Sequence, residues 1–248
     1  MDEKNYYKRI NSFYDRTDEK EIVSAYLKAW LQNKYFNSVL DIGAGTGVFS
    51  SVFQEHSKTL TLIEKDEAFF KSLKKQFKTA QCIHSTIENH SFTQSYDLIF
   101  LSHVLYYIPT KDWGDLLKTL LSKLNQNGSL IVVMNTDSGD WWNILQHFYK
   151  KYQDHLPFDY TPLSEFKYEF LNQNNVQLRT IPYIYRVYFE SAHDLNKYIH
   201  NILLGINDAS LKKELRNEIS EFTYNNFIVE KSLRYLNWHA EMWIIQNC

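Results

Sequence analysis

Three glycines at alternate positions, Gly43, Gly45 and Gly47, follow directly on the run Ser38-Val39-Leu40-Asp41-Ile42. A strand ending in such a loop must turn sharply, and the loop can lie against a ligand because no Cβ stands in the way. Val48 to His56 then reads as a helix with Val48, Phe49, Val52 and Phe53 inward, so the loop opens a helix and presents free backbone N–H groups. The spacing excludes two nucleotide-binding loops. A dinucleotide fingerprint needs G-x-G-x-x-G, and Val48 falls where that pattern requires glycine. The G-x-x-x-x-G-K-[ST] phosphate loop is absent.

Strand and helix patterns alternate beyond the loop. Leu60 to Ile63 reads as a strand ending at Glu64, followed by a helix from Phe69 to Phe77 and a third strand from Ala80 to His84. Tyr96 to Leu101 and Ser129 to Met134 read as two more strands, the second entered through an Asn127-Gly128 turn. Between them lies a helix with Trp113, Leu116, Leu117, Leu120, Leu121 and Leu124 on one face. These strands are apolar throughout, which points to a parallel sheet covered on both faces. Ahead of the first strand, Asp18 is placed to cap a helix carrying Ile22, Ala25, Tyr26, Ala29 and Trp30. After residue 134 come two helices (Asp140 to Tyr152, Ser164 to Leu171), a strand (Val176 to Phe189), a helical stretch over 191–222 and a closing strand from Ser232 to Ile245. That helical stretch is too long for a simple connection, so 191–229 is read as an insertion forming a lid or substrate wall. The expectation is one α/β domain over 1–248, with a helical arm at 1–35 and a ligand-binding core at 36–135.

Composition narrows the function classes. Lys+Arg is 27 against Asp+Glu 29, so no basic field exists to hold nucleic acid. Two cysteines, Cys82 and Cys248, cannot build a disulfide framework, and the nine histidines show no metal-site spacing. No apolar run approaches the ~18 residues of a membrane span, and the charged start Met1-Asp2-Glu3-Lys4 opens no signal peptide. A cytoplasmic monomer is expected. Aromatics reach 16 %, with 18 Tyr; since Tyr carries a polar tip, some of these rings are expected on pocket walls.

A strand ending in Asp41 and then G-x-G-x-G resembles motif I of class I S-adenosylmethionine-dependent methyltransferases. The resemblance implies a Rossmann-like, doubly wound, mostly parallel seven-stranded sheet with a helical insertion before the last strand. It implies that Asp41 orients the loop and the methionine part of S-adenosylmethionine, and that Glu64 holds the two ribose hydroxyls, for which a carboxylate is a suitable double acceptor. The stretch His84-Ser85-Thr86-Ile87-Glu88 then meets the adenine. The implied cofactor contacts are Asp41, Gly43, Ala44, Gly45, Gly47, Glu64, Lys65, Ser85, Thr86, Ile87, Ser102 and His103.

Substrate chemistry in such folds sits beyond the carboxyl ends of the strands. Three segments resemble the histamine N-methyltransferase-like group: the pair Tyr106-Tyr107, the run Asp137-Ser138-Gly139-Asp140-Trp141-Trp142, and an arm in which Tyr6 and Phe13 precede Glu19. The resemblance implies a small-molecule amine or imidazole substrate held by Tyr6, Phe13, Tyr106, Tyr107, Trp141 and Trp142. Glu19 would accept a hydrogen bond from it. His103 is expected to position more than to act as a base. Aromatic rings can hold a cation, and a carboxylate stabilises charge arriving on nitrogen. Plainer readings stay open: Tyr106 and Tyr107 as core, Trp141 and Trp142 as helix anchors, Glu19 as a first-turn acid. The group's closing-strand Asn falls among Asn237, Trp238 and His239. O-methylation of a carboxylate or phenol, and a non-catalytic partner protein, are the alternatives.

Overall fold

The computed structural model describes residue 13 and residues 15–152, 162–203, 209–225 and 235–248. Its sheet runs β3-β2-β1-β4-β5-β7-β6. The strands are β1 (Phe36–Ile42), β2 (Ser57–Glu64), β3 (Gln81–His84), β4 (Tyr96–Ser102), β5 (Leu124–Ser138), β6 (Val176–Tyr188) and β7 (Tyr235–Asn247). The first five pair in parallel, and β7 runs antiparallel between β5 and β6. The expected Asn127-Gly128 turn lies inside β5, where Asn127 has φ 63° and the pairing register to β4 shifts between Tyr96 and Leu98.

The helices are α1 (Glu19–Leu31), α2 (Val48–Gln54), α3 (Glu67–Gln76), α4 (Trp113–Ser122), α5 (Gly139–Tyr152), α6 (Leu163–Gln173), α7 (Ala192–Leu203) and α8 (Ala209–Thr223). Alternate strand residues feed two apolar layers. Leu40, Ile42, Ile99, Leu101, Leu130 and Val132 belong to one, with α4 and α6; Val39, Leu98, Phe100, Ile131 and Val133 belong to the other, with α1, α2 and α5. Covering both faces is what lets strands be apolar at every position.

Three local expectations are overridden by tertiary contacts. The buried stripe of α1 is Val23, Leu27 and Leu31, with Ile22 and Trp30 only flanking it and Tyr26 exposed. The more apolar i, i+4 row wins the sheet-facing side. Asp18 precedes α1 but makes no side-chain cap; its carboxylate accepts from Arg186 N at 2.6 Å and Tyr188 Oη at 3.3 Å. The arm is thereby tied to the end of β6, where Thr17 bridges Val187. Val48, expected inward on α2, is 36 % exposed, and Ser50 is buried there instead.

The helices of the expected insertion, α7 and α8, bury Leu195, Ile199, Leu215 and Ile219 in the second layer. They also meet the arm: Tyr198 stacks on Phe13 at 6.5 Å, and Arg16 pairs with Asp194 at 3.1 Å. The strand order reverses between β1 and β4, the place where open α/β sheets hold their ligands.

Candidate active site

A cavity of about 250 Å³ opens at this switch point, lined by residues at or just beyond the carboxyl ends of β1, β2, β3 and β4 and by Asn135 of β5. Gly43 and Gly45 form one side, with φ of 69° and 54°. The loop is held from below, because Gly43 N and Ala44 N both donate to Ile63 O, at 2.8 and 3.1 Å. At Gly43 a Cβ would stand 2.6 Å from Val104 Cγ2. Gly47 serves packing: a Cβ there would meet Phe77 at 2.5 Å, and neither Gly47 nor Ala44 lines the cavity.

The two acids expected at the cofactor occupy different places. Glu64 lines the cavity; its Oε2 accepts from Gly45 N and its Oε1 from Asp66 N, both at 2.8 Å. Burial pushes its pKa up, against the pull of these bonds. Asp41 is off the cavity wall, fully enclosed, accepting from Ser50 Oγ at 2.5 Å. Burial raises its pKa to about 7. It anchors the end of β1 to the first turn of α2, so any influence on a ligand passes through the loop.

Lys65, Ser85, Thr86, Ile87, Ser102 and His103 line the cavity together with Glu64 and the glycines. Lys65 Nζ sits 4.0 Å over the Tyr107 ring. Tyr106 and Tyr107 are 45 % and 48 % exposed and both face the cavity, as does Phe13. Tyr6 lies outside the described residues.

Glu19 is 3 % exposed and does not line the cavity. Instead His103, at the cavity wall, brings Nε2 to 2.7 Å from Glu19 Oε1, and Tyr183 Oη donates to the same oxygen at 2.8 Å. Burial first, and then the Glu19 charge, pushes the Tyr183 hydroxyl well above 10, so it stays a donor. His103 adopts φ 55°, a costly left-handed conformation for a side-chain-bearing residue. Its ring stacks on Tyr106 at 5.7 Å.

Trp141 and Trp142 are both off the wall. Trp141 lies flat on Trp238, 4.8 Å between centroids and 3° between planes, and Trp238 is the tryptophan that lines the cavity. Three residues at or behind the wall carried no signal strong enough to be singled out. Asn135 is the first polar residue after the apolar run of β5, and Tyr183 and Tyr185 alternate on the inward face of β6; Tyr185 and Asn135 line the cavity, with Tyr183 behind it. Glu88 also lines the wall. Among the described residues no three His, Cys, Asp or Glu side chains cluster to hold a metal, and no helix is long and apolar enough to cross a membrane.

A family model described as a methyltransferase domain matches residues 14–201. The chain belongs to that methyltransferase family. Solved structures share the fold. This methyltransferase is 15 % identical to the YcgJ protein of Bacillus subtilis, with 91 % of this chain and 98 % of that chain covered and a TM-score of 0.62. N-methyltransferase NodS of Bradyrhizobium japonicum WM9 is 14 % identical, with 96 % and 98 % covered and a TM-score of 0.53. The plantazolicin methyltransferase BpumL, solved with S-adenosylhomocysteine and a pentazolic desmethylPZN analog, is 19 % identical, with 99 % and 89 % covered and a TM-score of 0.55. No curated protein matches the sequence.

The methyl donor of this enzyme is S-adenosylmethionine, and the residues present fit it. Glu64 spends two acceptor positions on backbone N–H groups and has about four, so two hydroxyls can still be taken. The glycines leave the loop open to close approach, and Ile87 with Ser85 and Thr86 offers an apolar wall edged with polar groups.

Proposed function

We propose that this methyltransferase methylates a nitrogen of a small amine or imidazole compound. The contact between Glu19 Oε1 and His103 Nε2 carries the reading. A neutral imidazole that donates Nε2–H to Glu19 has its lone pair on Nδ1, which has no hydrogen-bond partner among the described residues. An ammonium group must lose its proton before nitrogen can attack, and Nδ1 of His103, a residue of the wall, can take it. Glu19 then stabilises the imidazolium, and Tyr183 holds the carboxylate in place. Glu19 thus acts through His103, which shifts His103 from a positioning role to proton transfer. Bound S-adenosylmethionine supplies an electrophilic methyl group. The rings of Phe13, Tyr106 and Tyr107 exclude water and favour a cation beside them.

A phenol oxygen is the second reading, because the same imidazole can take a phenolic proton. A carboxylate substrate is opposed by Glu64 and Glu88 on the wall. The test is release of S-adenosylhomocysteine with a panel of small amines, imidazoles and phenols. Amines or imidazoles should be turned over, and His103→Asn should lower kcat/KM by roughly 10²–10⁴ with S-adenosylhomocysteine affinity little changed. Turnover of phenols alone, or a His103→Asn enzyme as fast as wild type, would defeat the proposal.

A further inference from the structure

Buried tryptophans in this fold satisfy their indole N–H groups, with one exception. Trp113 Nε1 donates to Leu105 O and Ile108 O, both at 2.9 Å, and Trp243 Nε1 donates to Glu241 at 2.7 Å. Trp238 Nε1 is buried with no acceptor among the described residues, and Trp238 is the one of the three that lines the cavity. A buried donor without a partner is costly to keep. Its ring is fixed between neighbours: flat on Trp141, edge to Phe13 at 5.9 Å and tilted to Tyr185 at 5.8 Å.

Tyr185 links this indole to a second unused donor. Its hydroxyl donates to Asn135 Oδ1 at 2.9 Å, while Asn135 N donates to Tyr106 Oη at 2.5 Å. Burial keeps the Tyr185 hydroxyl protonated, so Oδ1 is the amide end it engages. The other end, Nδ2 with its two N–H groups, has no acceptor among the described residues, and Asn135 lines the cavity.

We propose that Asn135 and Trp238 form a hydrogen-bond-donor subsite for a neutral acceptor on the methyl-accepting molecule, a carbonyl, an ether or a pyridine-type ring nitrogen, distinct from the nitrogen that is methylated. The proposal rests on the reading of the substrate as a small amine. A neutral group is selected because the other charged residues on the wall are Glu64, Glu88 and Lys65. The Lys65 ammonium lies over Tyr107, and two carboxylates would repel an anion. The substrate class is therefore an amine that also carries an uncharged hydrogen-bond acceptor.

Two isosteric amines test it, 2-(pyridin-2-yl)ethylamine and 2-phenylethylamine, which differ by one ring nitrogen. With S-adenosylhomocysteine bound, the Trp238 indole N–H resonance, assigned by its loss in Trp238→Phe, should move downfield with the pyridyl amine and stay with the phenyl amine. In turnover, wild type should favour the pyridyl amine in kcat/KM by about tenfold, or ~1.4 kcal/mol. Trp238→Phe, which keeps the ring, and Asn135→Asp, which replaces donors by an acceptor, should each shrink that preference. An indole resonance that neither amine moves, or equal use of both amines by wild type, overturns the subsite. A shifted resonance with no methyl transfer to either amine or to any other amine overturns the proposed function and leaves the subsite supported.

Discussion

Glu64 Oε2 takes a hydrogen bond from Gly45 N at 2.8 Å, so the acid at the end of β2 shapes the loop that follows β1. One carboxylate serves both the glycine loop and the cavity. Glu64→Ala should therefore weaken S-adenosylhomocysteine binding by more than a lost ribose contact, at roughly 1.5–3 kcal/mol per charged hydrogen bond. The raised pKa of Glu64 adds a pH signature. A protonated carboxyl accepts fewer hydrogen bonds, so affinity should fall on acidification, at a higher pH than for an ordinary carboxylate. Calorimetry across pH should show this fall in wild type and its absence in Glu64→Gln.

Asp41 should make stability pH-dependent. Its carboxyl ionises near the ordinary 3.8 when the chain is unfolded and at about 7 in the fold. Between those values the folded state holds the extra proton, so stability is greatest below the window and is lost as pH rises through it, by about 1.4 kcal/mol per pH unit. Asn at this position cannot ionise and can still accept from Ser50. Thermal unfolding over a pH series should show Asp41→Asn close to wild type in acid and more stable above neutrality. Parallel curves would refute the buried, ionising carboxyl.

Gly43→Ala places a Cβ at 2.6 Å from Val104 Cγ2 in a left-handed backbone. The conformation costs roughly 1–2 kcal/mol and the contact adds to it. Val104→Ala removes the clashing methyl while the backbone cost remains. Denaturant unfolding of the four-member cycle should give a favourable coupling above about 0.5 kcal/mol.

Trp141 and Tyr107 should separate cleanly. Trp141→Ala removes a partner stacked on Trp238 and should lower stability by up to about 3 kcal/mol. Tyr107, half exposed on the cavity wall, should change stability by less than about 0.5 kcal/mol when replaced by Ala, yet raise KM for the substrate. The opposite pattern, in melting temperature and steady-state kinetics, would exchange their roles.

Glu19→Gln keeps the shape that faces His103 but removes the charge. Methyl transfer should slow by about tenfold or more, because the carboxylate matters most when the imidazole becomes cationic. S-adenosylhomocysteine affinity should stay near wild type. Equal kcat/KM for variant and wild type would remove Glu19 from the proton path.

The residues that line the glycine-loop end of the cavity were legible in one dimension. Gly43, Gly45 and Glu64 sit at the ends of consecutive strands, and the chemistry they need, a Cβ-free turn and a carboxylate, is local to a short stretch of chain. The same holds for the parallel core, because strands buried on both faces must be apolar at nearly every position. The opposite end of the cavity is assembled across the fold. His103 meets Glu19 over 84 residues, Tyr183 reaches it from β6 over 164, and Trp238 comes from β7. No periodicity encodes such pairings, so an acid expected to touch the substrate lies behind a histidine. Likewise Trp141, expected on the wall, supports the tryptophan that occupies it. What a residue is was set by the sequence; which neighbour it faces was decided by how β6, β7 and the arm close over the carboxyl ends of the parallel strands, where burial and hydrogen-bond satisfaction override local pattern.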